Sequence, residues 1–277
     1  MRKSYDELTI QDNFIFQRVM RNEKICKKVI ERLLDIKIQS IGYPEEEKTI
    51  NIKVDSKGIR LDVYVNDDKG TVFNIEMQTT KDENELAKRL RYYQALIDIS
   101  LLDKGANYET LNNTYIIFIC TFSFKSNRHK YTFKNLCIED HDIALNDGTT
   151  KMFLCTKGKA NDIPRPLQIF LDYIDGQKPA DKLTREMDEI VARVKNREDW
   201  RREYMYLELA LEKERQAGLA QGLAQGLAQG LAQGVAKERL NVIINMLKEG
   251  ISIDSIANIT KYTKEQVLEI AKKNALL

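Results

Sequence analysis

The chain is short of the residues that staple a fold or carry it across a membrane. Its four cysteines, Cys26, Cys120, Cys137 and Cys155, are scattered with no CxxC pair. That spacing excludes a zinc ribbon or a dithiol redox motif and suits free thiols in a reducing cytoplasm. Cys137 and His141 have a ligand-like spacing, but two ligands do not make a structural zinc site. The longest apolar run, IIFIC at 116–120, is far too short to span a bilayer, so no membrane association is expected. The opening MRKSYDELTI lacks the apolar centre of a signal peptide. Charge of one sign is missing too. Lys and Arg number 44 against 42 Asp and Glu, a net +2, so any nucleic-acid surface has to be a local patch. The remainder, 43% hydrophobic and 31% charged over 277 residues, fits a soluble protein with one good-sized domain and a smaller appendage.

The densest information lies in IRLDVYVNDDKGTVFNIEMQTT, residues 59–80. Leu61, Val63 and Val65 alternate with Arg60, Asp62 and Tyr64. Phe73, Ile75 and Met77 alternate with Asn74, Glu76 and Gln78. A period of two places each set on its own face of a β-hairpin, one apolar and one chemically loaded. The turn NDDKG ends in Gly70, which can supply a left-handed residue. Keeping the apolar sets together requires a loop of odd length. Asp62 then lies opposite Glu76, or opposite Asn74 with Glu76 on the diagonal. In either register the two carboxylates come roughly 5–7 Å apart at their β-carbons. Like charges so placed call for a neutralising group, and a divalent cation is suited to carboxylate oxygens.

Elsewhere the patterns are helical or strand-like. Asp12 stands as N-cap of a helix from Asn13. Residues 22–35 carry Ile25, Val29 and Leu33 beside Cys26, Ile30 and Leu34, an apolar stripe at i, i+4 spacing. IKIQSIGY and KTINIKVD read as strands or lead-ins to strands. A long helix is expected over about 82–103, ended by Gly105. TYIIFICTF reads as a strand covered on both faces, with KYTFKNLC and KMFLCT extending the sheet. A helix begins near Pro164 or Pro166, and residues 181–216 read as one long charged helix. The repeat QAGLAQGLAQGLAQGLAQGVA sets Gly at 218, 222, 226, 230 and 234. Each Gly costs about 1 kcal/mol of helix propensity, so a semi-flexible helical spacer is the expectation, with a helix–helix contact between two copies as the alternative. Residues 237–277 hold three short helices. One stops at Gly250, one is capped by Ser252, and the last opens on a Thr263/Gln266 capping box. They suit a small packing or pairing module better than a base-reading helix–turn–helix. The expected division is 1–180, 181–236 and 237–277.

Asp62, a hairpin and then Glu76-Met-Gln78 resembles the active-site layout of the PD-(D/E)xK nuclease superfamily. The resemblance is closest to its Rpn family of recombination-promoting nucleases, which are transposase-like. It runs through DNFIF at 12–16, RLDVYV, NIEMQ, KRLRYYQALIDISLLDKGANYETL, TYIIFIC, MFLCTKG and the Gly-rich tail. It implies an α/β fold with a restriction-endonuclease-like αβββαβ core, a mixed sheet and a helical C-terminal extension. The activity implied is Mg²⁺-dependent DNA endonuclease cleavage linked to recombination or mobile elements. Asp62, Glu76 and the Met77 backbone carbonyl would hold the metal. Gln78 stands where many members carry a lysine, and as the third catalytic residue it would orient the attacking water or a phosphate oxygen. Lys57, Arg60, Arg89 and Arg91 become candidates for phosphate contact, and Tyr93 for an aromatic facing the site. DNA is the implied partner, together with a homodimer formed through the C-terminal helices. The competing expectation is a nuclease-fold protein that binds nucleic acid, or assists transposition, without cutting.

Overall fold

The computed structural model describes residues 3–50, 59–159 and 161–276. The chain divides into two compact units, Met1–Met205 and Tyr206–Leu277. The first opens with helices α1 (Asn13–Met20) and α2 (Glu23–Leu34), then strands β1 (Glu45–Ile50), β2 (Ile59–Asn66) and β3 (Val72–Gln78). Helix α3 (Glu83–Leu101), strands β4 (Thr114–Cys120), β5 (Lys130–Phe133) and β6 (Thr149–Cys155), and helices α4 (Arg165–Ile174) and α5 (Lys182–Lys195) follow. Among the described residues the strands form one mixed sheet in the order β1-β2-β3-β4-β6-β5. The first three pair antiparallel, β3-β4-β6 run parallel, and β5 returns antiparallel. The α/β architecture with a mixed sheet and a helical extension is the expected one.

One face of the sheet carries Tyr64, Val72, Ile116, Phe118 and Phe153, packed under Leu86, Leu90, Tyr93, Leu96 and Ile97 of α3. Those helix positions fall at i, i+3/i+4 steps, so one side of α3 is committed to the sheet. Phe118 meets Tyr93 and Phe153 edge-on, with ring centres 6.2 and 5.6 Å apart. The residues pointing the other way, among them Val63, Phe73, Ile75, Ile117 and Ile119, are buried as deeply. Helix α1 packs on β2 and α5 on that side, joined by α2 and α4. Each such side chain stabilises the fold by about 1.5–3 kcal/mol. Coverage on both faces is why β4 tolerates an unbroken apolar run.

Several expectations change. The 36–43 segment forms only an isolated bridge, Ile41 with Asp67. The expected strand KTINIKVD is seen only up to Ile50, and residues 51–55 lie outside the described residues. KYTFKNLC forms a strand only over Lys130–Phe133. Asp12 occupies the cap position of α1, yet its carboxylate turns back to accept from the Thr9 N–H at 2.7 Å and from Lys3 at 2.9 Å. The charged segment 181–216 is two helices. α5 ends at Lys195 and α6 (Glu198–Lys248) begins after the break. The buried Tyr5 hydroxyl donates to the Val194 carbonyl at 2.7 Å, an oxygen that an uninterrupted helix would spend on residue 198.

The repeat lies inside α6 and is helical throughout. Ala, Leu and Gln favour helix strongly enough to carry the glycines. In the second unit, α6 stops at Gly250, whose φ is +79°, and helices α7 (Ile253–Thr260) and α8 (Lys264–Lys273) follow. Ile243, Ile256 and Val267 form its small core. Ser252 caps α7, and Thr263 with Gln266 makes the expected capping box on α8. Among the described residues no helix is long and apolar enough to cross a membrane.

Candidate active site

The β2–β3 register settles which of the two facing arrangements holds. Val65 pairs with Phe73, Tyr64 with Asn74 and Val63 with Ile75, so the next step sets Asp62 opposite Glu76. The loop, residues 67–71, is of odd length, and Gly70 takes φ +78° within it. Beyond Val63 the ladder changes character. The Asp62 N–H donates to Glu76 Oε1 at 3.0 Å, and the Met77 N–H donates to Asp62 Oδ2 at 3.0 Å. Each carboxylate therefore takes a backbone donor of the opposite strand, and these bonds hold the two acids at the point where the strands part.

The loaded face is not open to solvent. Asp62, Glu76 and Gln78 are 7, 2 and 8% exposed, and Asn74 is fully buried. Burial is the dominant electrostatic fact. It pushes the Asp62 carboxyl up to about 6, against the bonds from Met77 and Gln17 and the charges of Arg89 and Arg60. Burial also raises Glu76 well above the usual carboxylate range, and the negative charge of Asp62 raises it further. Tyr93 is raised by burial and then by Glu76.

Helix α3 brings Arg89 and Tyr93 to the pair. Arg89 Nη1 donates to Gln78 Oε1 and Nη2 to the Tyr93 hydroxyl, each at 3.1 Å. Arg60 is exposed on β2, and its charge reaches Asp62. Arg91 is exposed on α3, two positions from Arg89, so the 3.6-residue turn aims it away from the sheet. Lys57 lies outside the described residues.

Sequence reasoning passed over two residues of α1. Gln17 Nε2 donates to Asp62 Oδ1 at 3.0 Å, and Asn13 Nδ2 approaches the same oxygen at 3.4 Å. Their signal was present: two amides at i, i+4 in the otherwise apolar stretch NFIFQ. Asn74 was also missed. Among the described residues neither its amide nitrogen nor its oxygen has a partner at hydrogen-bond geometry, although it lies near enough to Glu76 to favour the ionised form of that carboxyl.

Two carboxylates flanked by amide and carbonyl oxygens make a hard-donor set. Among the described residues no cluster of three or more His, Cys, Asp or Glu occurs. That composition fits Mg²⁺, which keeps several of its waters and needs only one or two carboxylates. It does not fit a thiolate- or imidazole-bound metal.

The mixed sheet, the α3 crossover and the facing acids together define a restriction-endonuclease-like α/β protein. Residues 12–155 match the family described as PD-(D/E)XK nuclease family transposase. That span is more than half the chain, and the chain belongs to this family. No curated protein and no solved structure matches it.

Proposed function

We propose that this chain is a Mg²⁺-dependent DNA endonuclease that hydrolyses phosphodiester bonds and serves recombination or mobile elements. The observation that carries the reading is the buried, interlocked pair Asp62 and Glu76, held by each other's strand at 3.0 Å. Two like charges removed from water are costly unless a cation joins them. Asp62, Glu76 and the Met77 carbonyl would hold that ion. When bound, it supplies an activated water and offsets charge on the scissile phosphate.

The chain's own residues do the rest. Gln17, Asn13 and the Met77 N–H fix the orientation of the Asp62 carboxylate. Gln78 cannot take a proton, because an amide does not titrate in this range. Arg89 brings fixed positive charge beside the pair, and Tyr93 supports it. Arg60, Lys57 and Arg91 are assigned to backbone phosphates outside the reacting centre. The described cysteines are free thiols, which suits a reducing cytoplasm.

The test is conversion of supercoiled plasmid with Mg²⁺ and with EDTA. The wild-type protein should nick or linearise the plasmid with Mg²⁺ alone, and Asp62→Ala should fall to the EDTA background. Retention of DNA in gel shifts without cutting, in Mg²⁺ and Mn²⁺ alike, would return the reading to a non-cleaving nucleic-acid binder.

Cutting both strands is simplest with two sites in a symmetric dimer, and we assign the dimer contact to the C-terminal helical region. A chain truncated near residue 216 should keep the fold of the first unit and its cation response. Light scattering should show it losing the dimer mass, and on plasmid it should shift from double-strand cuts towards nicks. An unchanged mass and cutting pattern would remove the tail from this role.

A further inference from the structure

Gln78 has a side-chain orientation that chemistry alone can assign. A guanidinium carries donors only and no acceptor. Arg89 Nη1 stands 3.1 Å from the Gln78 amide, so the amide atom facing it has to be the oxygen.

Arg89 is itself well held. Its second terminal nitrogen donates to the Tyr93 hydroxyl at 3.1 Å. Its Cζ lies 5.5 Å from the centre of the Tyr93 ring and 5.8 Å from that of Phe118. Both rings are buried against each other, so the guanidinium rests on a rigid aromatic floor and gains cation–π attraction from it. With its oxygen tied to Arg89, the amide of Gln78 turns its NH₂ group the other way. Gln78 is the last residue of β3, two positions after Glu76 on the same face of the strand, and its Nε2 makes no hydrogen bond among the described residues.

We propose that Arg89 locks the Gln78 amide by committing its oxygen to the guanidinium, so that the NH₂ group is the part left to act and Gln78 serves as an N–H donor to a non-bridging phosphate oxygen. It is then neither a cation ligand nor an acceptor for the attacking water. Arg89 is a positioning residue that works through Gln78. The inference rests on the reading of the site as one that cleaves phosphodiesters. It narrows the role of Gln78 from water or phosphate to phosphate alone. It also fixes the sign expected of two substitutions. If Gln78 were a ligand, Gln78→Glu would be a better one. In this arrangement Glu at 78 pairs with Arg89, keeps the fold and offers only acceptors, so it repels the phosphate. A lysine at 78 would bring an ammonium to within about hydrogen-bond distance of the guanidinium, and the two cations would repel.

The experiment uses the full chain and two readouts, plasmid cleavage kinetics in Mg²⁺ and the rise in melting temperature on adding CaCl₂ without DNA. Gln78→Ala and Gln78→Met should each lose about 10²-fold in kcat, the usual effect of removing one donor from a transition state, and should keep the full calcium-induced rise. Gln78→Glu should cleave no faster than Gln78→Ala. Arg89→Met should lower kcat with KM near wild type, and Arg89→Lys should recover part of the loss. Gln78→Lys should be slow, with Arg89→Gln in the same chain restoring rate.

The proposal is overturned if Gln78→Glu cleaves as well as wild type, or if Gln78→Ala and Gln78→Met lose the calcium response. A wild-type protein that does not cut would defeat the proposed endonuclease activity separately. The calcium response of the Gln78 variants would then still decide whether that residue is a ligand.

Discussion

Glu76→Gln is expected to abolish plasmid cleavage and, in the same protein without cation, to raise the melting temperature at pH 8. Glu76 is 2% exposed and faces a second buried acid. Burial first, and the Asp62 charge second, work against its ionised form. Glutamine has nearly the same shape and keeps an oxygen for the Asp62 N–H, the bond that Glu76 accepts at 3.0 Å. The substitution removes a buried charge and leaves the packing in place. A gain on the order of 1–3 kcal/mol follows from what buried uncompensated charge costs, or a few degrees in a unit of this size.

The sign with pH follows from linkage. Asp62 moves from 3.8 in the unfolded chain to about 6 in the fold, and Glu76 moves upward from 4.5. The folded state therefore holds its protons longer than the unfolded one. The associated stabilisation is complete below about pH 4 and is lost as pH rises through about 6 for Asp62, and it is lost likewise for Glu76 as pH rises through its own raised value. Without cation, the wild-type melting temperature should fall between pH 5 and pH 8 more steeply than that of Glu76→Gln. Calcium at pH 8 should restore the wild type and do little for the variant. Parallel pH curves, or a variant that melts lower than wild type at pH 8, would show that the pair carries no such strain.

The hairpin was legible because its information is local. A period of two separates Asp62, Glu76 and Gln78 from Leu61, Val63 and Ile75 without reference to the rest of the chain, and loop parity limits the register to two choices. The choice between them needed the paired strands. Burial of the acids was not legible, since it depends on helices distant in sequence that pack around the hairpin. The contacts of Gln17 and Asn13 with Asp62 likewise arise from how α1 packs against β2, which no spacing within α1 encodes.

The difference between Arg89 and Arg91 was available and unused. Leu86, Arg89, Leu90, Tyr93 and Ile97 make one helical stripe, and Arg91 is off it. The break at Asn196 was hidden because a contact that accompanies it, the Tyr5 hydroxyl on the Val194 carbonyl, comes from far away in sequence. Asp12 misled for the opposite reason. A local competitor, the Thr9 N–H, takes the carboxylate that a helix cap would use.

Gly158→Ala is expected to be strongly destabilising. A Cβ at that position would lie 2.5 Å from His129 Cγ, 2.6 Å from Cδ2 and 2.6 Å from the His129 backbone nitrogen. None of these can step aside easily. The ring is held by Nδ1 against Asp162 Oδ1 at 3.0 Å, and the backbone is held by the Cys155 N–H on the His129 carbonyl at 2.7 Å. Those contacts start the β5–β6 pairing, so the clash has to be relieved by shifting the sheet edge. Overpacking of this kind costs about 2–3 kcal/mol, or roughly 5–10 °C in melting temperature.

Two companion variants isolate the cause. Adding His129→Ala removes the ring clash and leaves the backbone nitrogen, so recovery should be partial. Gly226→Ala places the same methyl where nothing lies within 4 Å, inside a helix, and should be neutral or stabilise by up to about 1 kcal/mol. The acid pair lies on β2 and β3, apart from this edge, so Gly158→Ala should still gain melting temperature on adding calcium. A Gly158→Ala protein that melts with the wild type would show that the β5 edge yields at little cost, and that the contact of Gly158 with His129 does not set its position.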